Sequence, residues 1–409
     1  MRIFGTHDEN TIAQFQDVRS RAVDAALMAD GHVGYVMPIG GVAAYRDQVS
    51  VVGVGFDIAC GNAAIRTDLA LTDLGGSAAA LRAALSSLAD EINGTVSFGI
   101  GRKNFADDAP VDHALFSDSA WDAVPAKHRQ ALQVKARQQL GTVGSGNHYV
   151  DVFADETGML WVGVHFGSRG FGHTVASAFL ALAAGKQWGE HVREQETLLN
   201  VNDPLGHDYW HLMTLAGRYA YAGREWVARK VVSLLGANEV ELVHNHHNFA
   251  WKETHGGEEL IVIRKGATPA FPEQPGFIGG SMGDDAVIVR GTPVTTSTPP
   301  EIVAAQKDSL YSTVHGAGRV MSRTAAAGKY DRKTKQLITP GKVTPEMMND
   351  WLREKDVVLR GGGLDESPQA YRRLPQVLEA QLGTIEVLHT LRPLVVVMAG
   401  ANEFDPYKD

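Results

Sequence analysis

A chain of 409 residues with a single cysteine can form no internal disulfide, so its fold must rest on buried apolar surface and on whatever ligands it holds. That cysteine, Cys60, lies in Gly55-Phe56-Asp57-Ile58-Ala59-Cys60-Gly61, three positions after a carboxylate and within a glycine-bounded turn. A carboxylate and a thiol so spaced can face one cation, and the flanking glycines let the backbone bend around it. The competing reading is a small buried hydrophobe. The preceding run, Val51-Val52-Gly53-Val54, reads as a strand.

With 44% hydrophobic residues the composition is that of a folded globular protein. A net charge of -9 argues against diffuse, charge-driven coating of nucleic acid while leaving room for a local basic groove. The sequence shows no basic segment leading into an apolar stretch at its start and no 18-residue apolar run. The expectation is a protein with no membrane association, cytoplasmic, in a compartment that keeps thiols reduced.

Hydrophobic periodicity predicts helices at 10–29, 77–93, 119–139, 174–186, 208–234, 300–310, 344–355 and 368–383. It predicts strands at 33–37, 49–55, 62–67, 148–154, 160–166, 239–245, 259–264, 285–291, 356–360 and 393–398. The class is α+β, and one continuous domain over 1–409 is the simplest organisation. Two stretches, 102–118 and the basic 324–343 with Lys329, Arg332, Lys333 and Lys335, read as surface excursions.

Histidines gather in glycine- or asparagine-rich turns at the ends of predicted strands. These are Gly144-Ser145-Gly146-Asn147-His148, Val162-Gly163-Val164-His165 and His244-Asn245-His246-His247-Asn248. With Asp57 and Cys60 they form a mixed hard and soft donor set that suits Mn, Zn, Fe or Co better than calcium, and two ions sharing the thiolate would fit so many ligands. His315-Gly316-Ala317-Gly318-Arg319 reads as a helix start, where free amides and an arginine favour phosphate and a histidine beside it can attack phosphorus. Arg264-Lys265-Gly266, Gly279-Gly280-Ser281-Met282-Gly283 and Gly167-Ser168-Arg169-Gly170 look similarly directed at polyanions.

These blocks, together with Asp30-Gly31-His32 and Ile39-Gly40-Gly41-Val42, resemble in order those of the RtcB RNA-splicing ligases from about residue 28 to residue 393. The resemblance implies an α+β RtcB-like fold with a β-rich core, surrounding helices and a metal and nucleotide cleft, followed by an extra tail at 399–409. It implies one manganese on Asp57, Cys60 and His148, a second on Cys60, His165 and His247, and His315 as the nucleophile that takes GMP from GTP. Nucleotide contacts would come from Asn147, His148, Asp151, His247, Asn248, Gly279, Gly280, Ser281, Met282, His315, Gly316, Ala317 and Gly318. Arg169, Lys265 and Arg319 would clamp phosphate or RNA. The implied reaction joins an RNA 3′-phosphate or 2′,3′-cyclic phosphate to a 5′-hydroxyl.

Three departures bear on the nucleotide. The usual glutamate of the Asn-His block is Asp151, a serine is replaced by Ala286, and the near-terminal lysine aligns with Met398, with Lys408 a candidate to fold back in its place. Lost base contacts relax base selection. ATP use, relaxed nucleotide use or 3′-phosphate capping are therefore the alternatives, followed by a non-catalytic RNA-end-binding protein.

Overall fold

The computed structural model describes residues 2–331, 334, 336–401 and 403. Its centre is an eight-stranded sheet. The path runs Pro275–Ile278, Ala286–Gly291, Ile385–Gly400, Tyr149–Ala154, Met159–Phe166, Gly61–Ala70 and Glu239–His246, with Val358–Gly362 added in parallel to Ile385–Gly400. Neighbours along the path are antiparallel. The ends of the path approach each other: Asn245 Oδ1 accepts from Phe277 N at 3.0 Å, and Asn62 Nδ2 donates to the Phe277 carbonyl at 2.8 Å. The sheet thus curls almost into a barrel. A second sheet, ordered Arg2–Ile3, Asp24–His32, Ile39–Tyr45, Glu258–Lys265 and Asn248–His255, abuts it, and the α+β class holds.

The 31-residue helix Pro204–Leu234 lies against Gly61–Ala70 and Met159–Phe166. Its apolar positions join two cores, one shared with the helix Arg169–Ala183 and one shared with the helix Ala78–Thr95 and the sheet. Inside the curl, Phe153, Trp161, Val243, Phe277 and Leu391 pack together.

Several boundaries differ from the periodicity. The first helix is Glu9–Arg21, capped by Asp8 accepting from Thr11 N, and the remainder of 10–29 enters the strand Asp24–His32. There Ala25 to Ala29 are buried on both faces, so the run lacks the alternation that marks a half-exposed strand. Residues 33–37 form a loop, and the strand is Ile39–Tyr45. Val51–Val54 is one helical turn rather than strand, because Ser50 Oγ accepts from Gly53 N at 2.8 Å and caps it. Pro125 divides 119–139 into a short 3-10 turn, Ser119–Ala123, and the helix Ala126–Gln139. Likewise 368–383 divides into Pro368–Ala370 and Leu374–Glu379. Within 102–118, Leu115 and Phe116 are buried, so that stretch is only partly a surface excursion. Arg332, Lys333, Lys335 and Lys408 lie outside the described residues.

Trp161 is fully buried and donates from Nε1 to Asp155 Oδ2 at 2.9 Å. Trp161→Ala should therefore cost about 3–5 kcal/mol. Urea unfolding would measure this, and a loss below about 1 kcal/mol would mean that the inside of the curl is not the packed core described.

Candidate metal and nucleotide site

Strand register brings the sequence-predicted ligands to one edge. Gly61 pairs with Phe166 on one side and His246 on the other, while Tyr149 pairs with His165. Cys60, His148, His165 and His247 therefore meet at the same ends of four adjacent strands. Backbone bonds lock the turns together: His247 N donates to the Cys60 carbonyl at 2.8 Å, and Ala59 N to the Asn248 carbonyl at 2.7 Å. Ala59 takes a left-handed φ of 61°, which turns Asp57 and Cys60 toward one point. Gly167 stands where a Cβ would come within 2.1 Å of Asp57 Oδ1, so only glycine admits the carboxylate.

Two groups of three donors result, Asp57–Cys60–His148 and Cys60–His165–His247, each with donor atoms within 4.8 Å of one another. Cys60 Sγ is 3.7 Å from His148 Nε2 and 3.6 Å from His165 Nε2, and His148 Nε2 is 3.1 Å from Asp57 Oδ2. Donors bound to one ion at about 2.0–2.3 Å lie about 3–4 Å apart, so the spacing fits.

The outer contacts agree. His148 Nδ1 faces the Val143 carbonyl at 2.9 Å, which only accepts, so Nδ1 donates there and a neutral ring would present its Nε2 lone pair to a carboxylate oxygen. A cation between them resolves that conflict. Asn62, its amide oriented by Phe277, accepts from His165 Nδ1 at 2.6 Å and likewise frees Nε2. His247 Nδ1 is buried without a hydrogen-bond partner.

Electrostatics point the same way. Burial pushes the Asp57 carboxyl up, but the His148 hydrogen bond and the charges of His148 and Arg169 outweigh it and hold the group below its ordinary range. Burial drives His165 and His247 well down, with neighbouring histidines adding to the effect, so both are neutral imidazoles in the ligating form. Burial and the charge of Asp57 push the Cys60 thiol well up, so the sulfur keeps its proton until a cation displaces it.

Beside the cluster opens a cavity of about 320 Å³. Its wall includes Asn147, Asp151, His247, Asn248, Gly279, Gly280, Ser281, Met282, His315, Gly316, Ala317, Gly318 and Arg319, whereas His148 stands behind it among the ligands. Two of the three expected phosphate clamps are not on the wall. Lys265 is buried, donates to the Val52 carbonyl at 3.0 Å and is pushed down to about 8 by burial. Arg169 is packed over Gly144, 3.1 Å from His148 Nδ1. Of the three altered positions, Asp151 and Met398 line the cavity, Met398 with Met282, Val396 and Tyr149, but Ala286 is sealed in the core beside Phe153 and Phe277.

His315 does not open a helix. It follows the strand Ser312–Val314, and the next helix, Arg323–Ala327, begins eight residues on. The amides of His315 and Gly316 point to Asp30 Oδ2 at 3.1 and 3.3 Å, and His315 Nδ1 lies 2.6 Å from the same oxygen. An amide pair expected to meet phosphate thus meets a fully buried carboxylate. His315 Nδ1 is buried and, although close to that carboxylate, makes no hydrogen bond of good geometry with it. Nothing in the Asp30-Gly31-His32 motif signals this contact, because the partner of Asp30 is 285 residues away. Arg323, Glu366 and Tyr371 also line the cavity and had no assigned role. Arg319 donates to Tyr371 Oη at 2.9 Å and pairs with Glu366 at 3.2 Å, Arg323 pairs with Glu366 at 2.8 Å, and Tyr371 Oη also donates to Glu366.

Residues 11–399 match the family model described as tRNA-splicing ligase RtcB. The chain belongs to the RtcB family. It is 31% identical over 401 residues to an RNA-splicing ligase RtcB of Escherichia coli K12, covering 91% of this chain and 89% of that protein. It is 31% identical to a tRNA-splicing ligase RtcB of Archaeoglobus fulgidus (91% and 87% covered) and 29% identical to RNA-splicing ligase RtcB homolog 1 of Entamoeba dispar (92% and 79%). No helix among the described residues is long and apolar enough to cross a membrane.

Because Asp57 is already ionised and His165 and His247 are already neutral, Cys60 must lose its proton to bind an ion. Cobalt(II) affinity of the metal-free protein should rise about tenfold per pH unit between about pH 6 and 8, with release of one proton. Cys60→Ser should remove the thiolate-to-cobalt absorption band. A pH-independent affinity would show that the thiol is not a ligand.

Proposed function

We propose that this RtcB-family protein is an RNA ligase that joins a 3′-phosphate or 2′,3′-cyclic phosphate end to a 5′-hydroxyl end through a nucleotide carried on His315. The observation that carries this reading is the position of His315. Its ring is 4.9 Å from that of His247 on the wall of the same cavity, with Nδ1 against Asp30.

With Nδ1 beside the Asp30 carboxylate, Nε2 attacks the α-phosphorus of the nucleoside triphosphate. A nitrogen–phosphorus bond forms as the bond to the bridging oxygen breaks, and pyrophosphate leaves. The nucleotide then passes to an RNA 3′-phosphate, and the 5′-hydroxyl of the second end displaces it. Asp57, Cys60 and His148 would hold one divalent ion and Cys60, His165 and His247 the other, manganese by family resemblance, supplying Lewis acidity that offsets charge on phosphoryl oxygens. Gly279, Gly280 and Ser281, opposite His315, give backbone close to the nucleotide, and Arg319 and Arg323 face the same space.

GTP is the nucleotide expected from the family, and one observation favours a second reading for the base alone. Asp151 is buried, burial pushes its carboxyl well above the ordinary range, and its Oδ1 has no hydrogen-bond partner. A neutral carboxyl offers one donor and one acceptor, which complements adenine, whereas a carboxylate suits the two donors of guanine.

Incubation with manganese and nucleotide labelled at the α-phosphate should attach label to the wild type, none to His315→Ala, and at least tenfold less to Asp30→Asn. Absence of label with every nucleotide would sink the proposal. Parallel GTP and ATP reactions separate the base readings, and a large GTP preference would remove the adenine one.

A further inference from the structure

We infer that Arg224 is a positioning residue for the metal centre, fixing from one point on the long helix the three backbone segments that carry Cys60, His165 and His247. The inference rests on reading those side chains as metal ligands.

Arg224 is completely buried. Its Nη1 donates to the Ala59 carbonyl at 2.8 Å and to the Phe166 carbonyl at 2.6 Å, and its Nη2 lies 2.8 Å from His246 Nδ1. Each partner is the immediate chain neighbour of a ligand: Ala59 of Cys60, Phe166 of His165, His246 of His247. The fourth contact, Nε to His244 Nε2 at 2.9 Å, anchors the guanidinium to the same strand as His246. A guanidinium only donates, so the His244 and His246 ring nitrogens that face it are acceptors. Tyr221, one helical turn earlier, stacks on His246 with ring centres 3.9 Å apart and holds the acceptor in place.

Among its hydrogen-bond partners there is no carboxylate, so this is not a buried ion pair kept for stability. A guanidinium desolvated against neutral acceptors is costly, and burial lowers it to about 10. What the residue supplies is geometry: a planar fork reaching four acceptors on three segments, which the single ammonium of lysine cannot span.

The test is a cobalt(II) titration of metal-free wild type, Arg224→Lys and the milder His246→Gln, followed by the thiolate-to-cobalt band. Both variants should bind cobalt about 10–100-fold more weakly, with a shifted band, and excess metal should restore the wild-type signal amplitude. Folded variants that bind within twofold of wild type would overturn the inference. If Arg224→Lys does not fold, His246→Gln decides by the same criterion. Wild type that binds no cobalt would refute the metal centre itself, an outcome distinct from equal binding by all three proteins.

Discussion

The close approach at Gly61 is the constraint on which the site depends. A Cβ there would meet the Asn245 carbonyl oxygen at 2.2 Å and His246 Cα at 2.8 Å. Without a side chain, the strand following Cys60 can draw against the strand ending in His246 while pairing with Phe166 on its other edge. Strand pairing then delivers the donors with little help from loop flexibility. His165 and His246 are fixed in register opposite residues at the start of Gly61–Ala70, and the adjoining Cys60 and His247 are joined by a backbone hydrogen bond. A site built this way has its donors placed by ladders that also hold the core, which favours preorganisation over assembly around an ion.

Asp30 shows the same economy on the other side of the cavity. One oxygen receives two backbone amides and stands beside the His315 ring. The turn after Val314 is therefore shaped by the carboxylate that also faces the His315 ring. Gly318, with a φ of 75°, packs where a Cβ would reach the Asp30 carbonyl at 2.4 Å, so the chain wraps closely around that residue.

That these donor residues cluster was legible because each sits in a short local pattern of glycine, asparagine and histidine at a strand end, and such patterns survive in one dimension. The α+β class was legible for a similar reason, since long periodic segments such as Pro204–Leu234 carry their own signal. What failed depends on partners distant in sequence. Lys265 reads as a phosphate clamp until Val52 claims it, and Ala286 reads as a lost base contact until Phe153 and Phe277 enclose the position. Arg224 carries no motif, and its meaning appears only when three remote segments converge on it. Local capping explains the remaining error, as Ser50 turns a β-prone valine run into a helical turn.

The cavity's cations bear on how an acidic protein can hold a polyanion. Arg319 and Arg323 face the cavity but already share Glu366, with Asp365 alongside, and these carboxylates are almost wholly buried. Two arginines and two carboxylates sum to no net charge, so this wall offers directional N–H donors with no long-range attraction for an anion. Asp30, against the His315 amides, adds a further carboxylate on that side. Under the proposed function, the net positive charge that a triphosphate requires would then come from ions held by the Asp57–Cys60–His148 and Cys60–His165–His247 groups. Attraction would be coupled to those groups and orientation to the neutral arginine pairs, which is one way for a chain of net charge -9 to take up an anion.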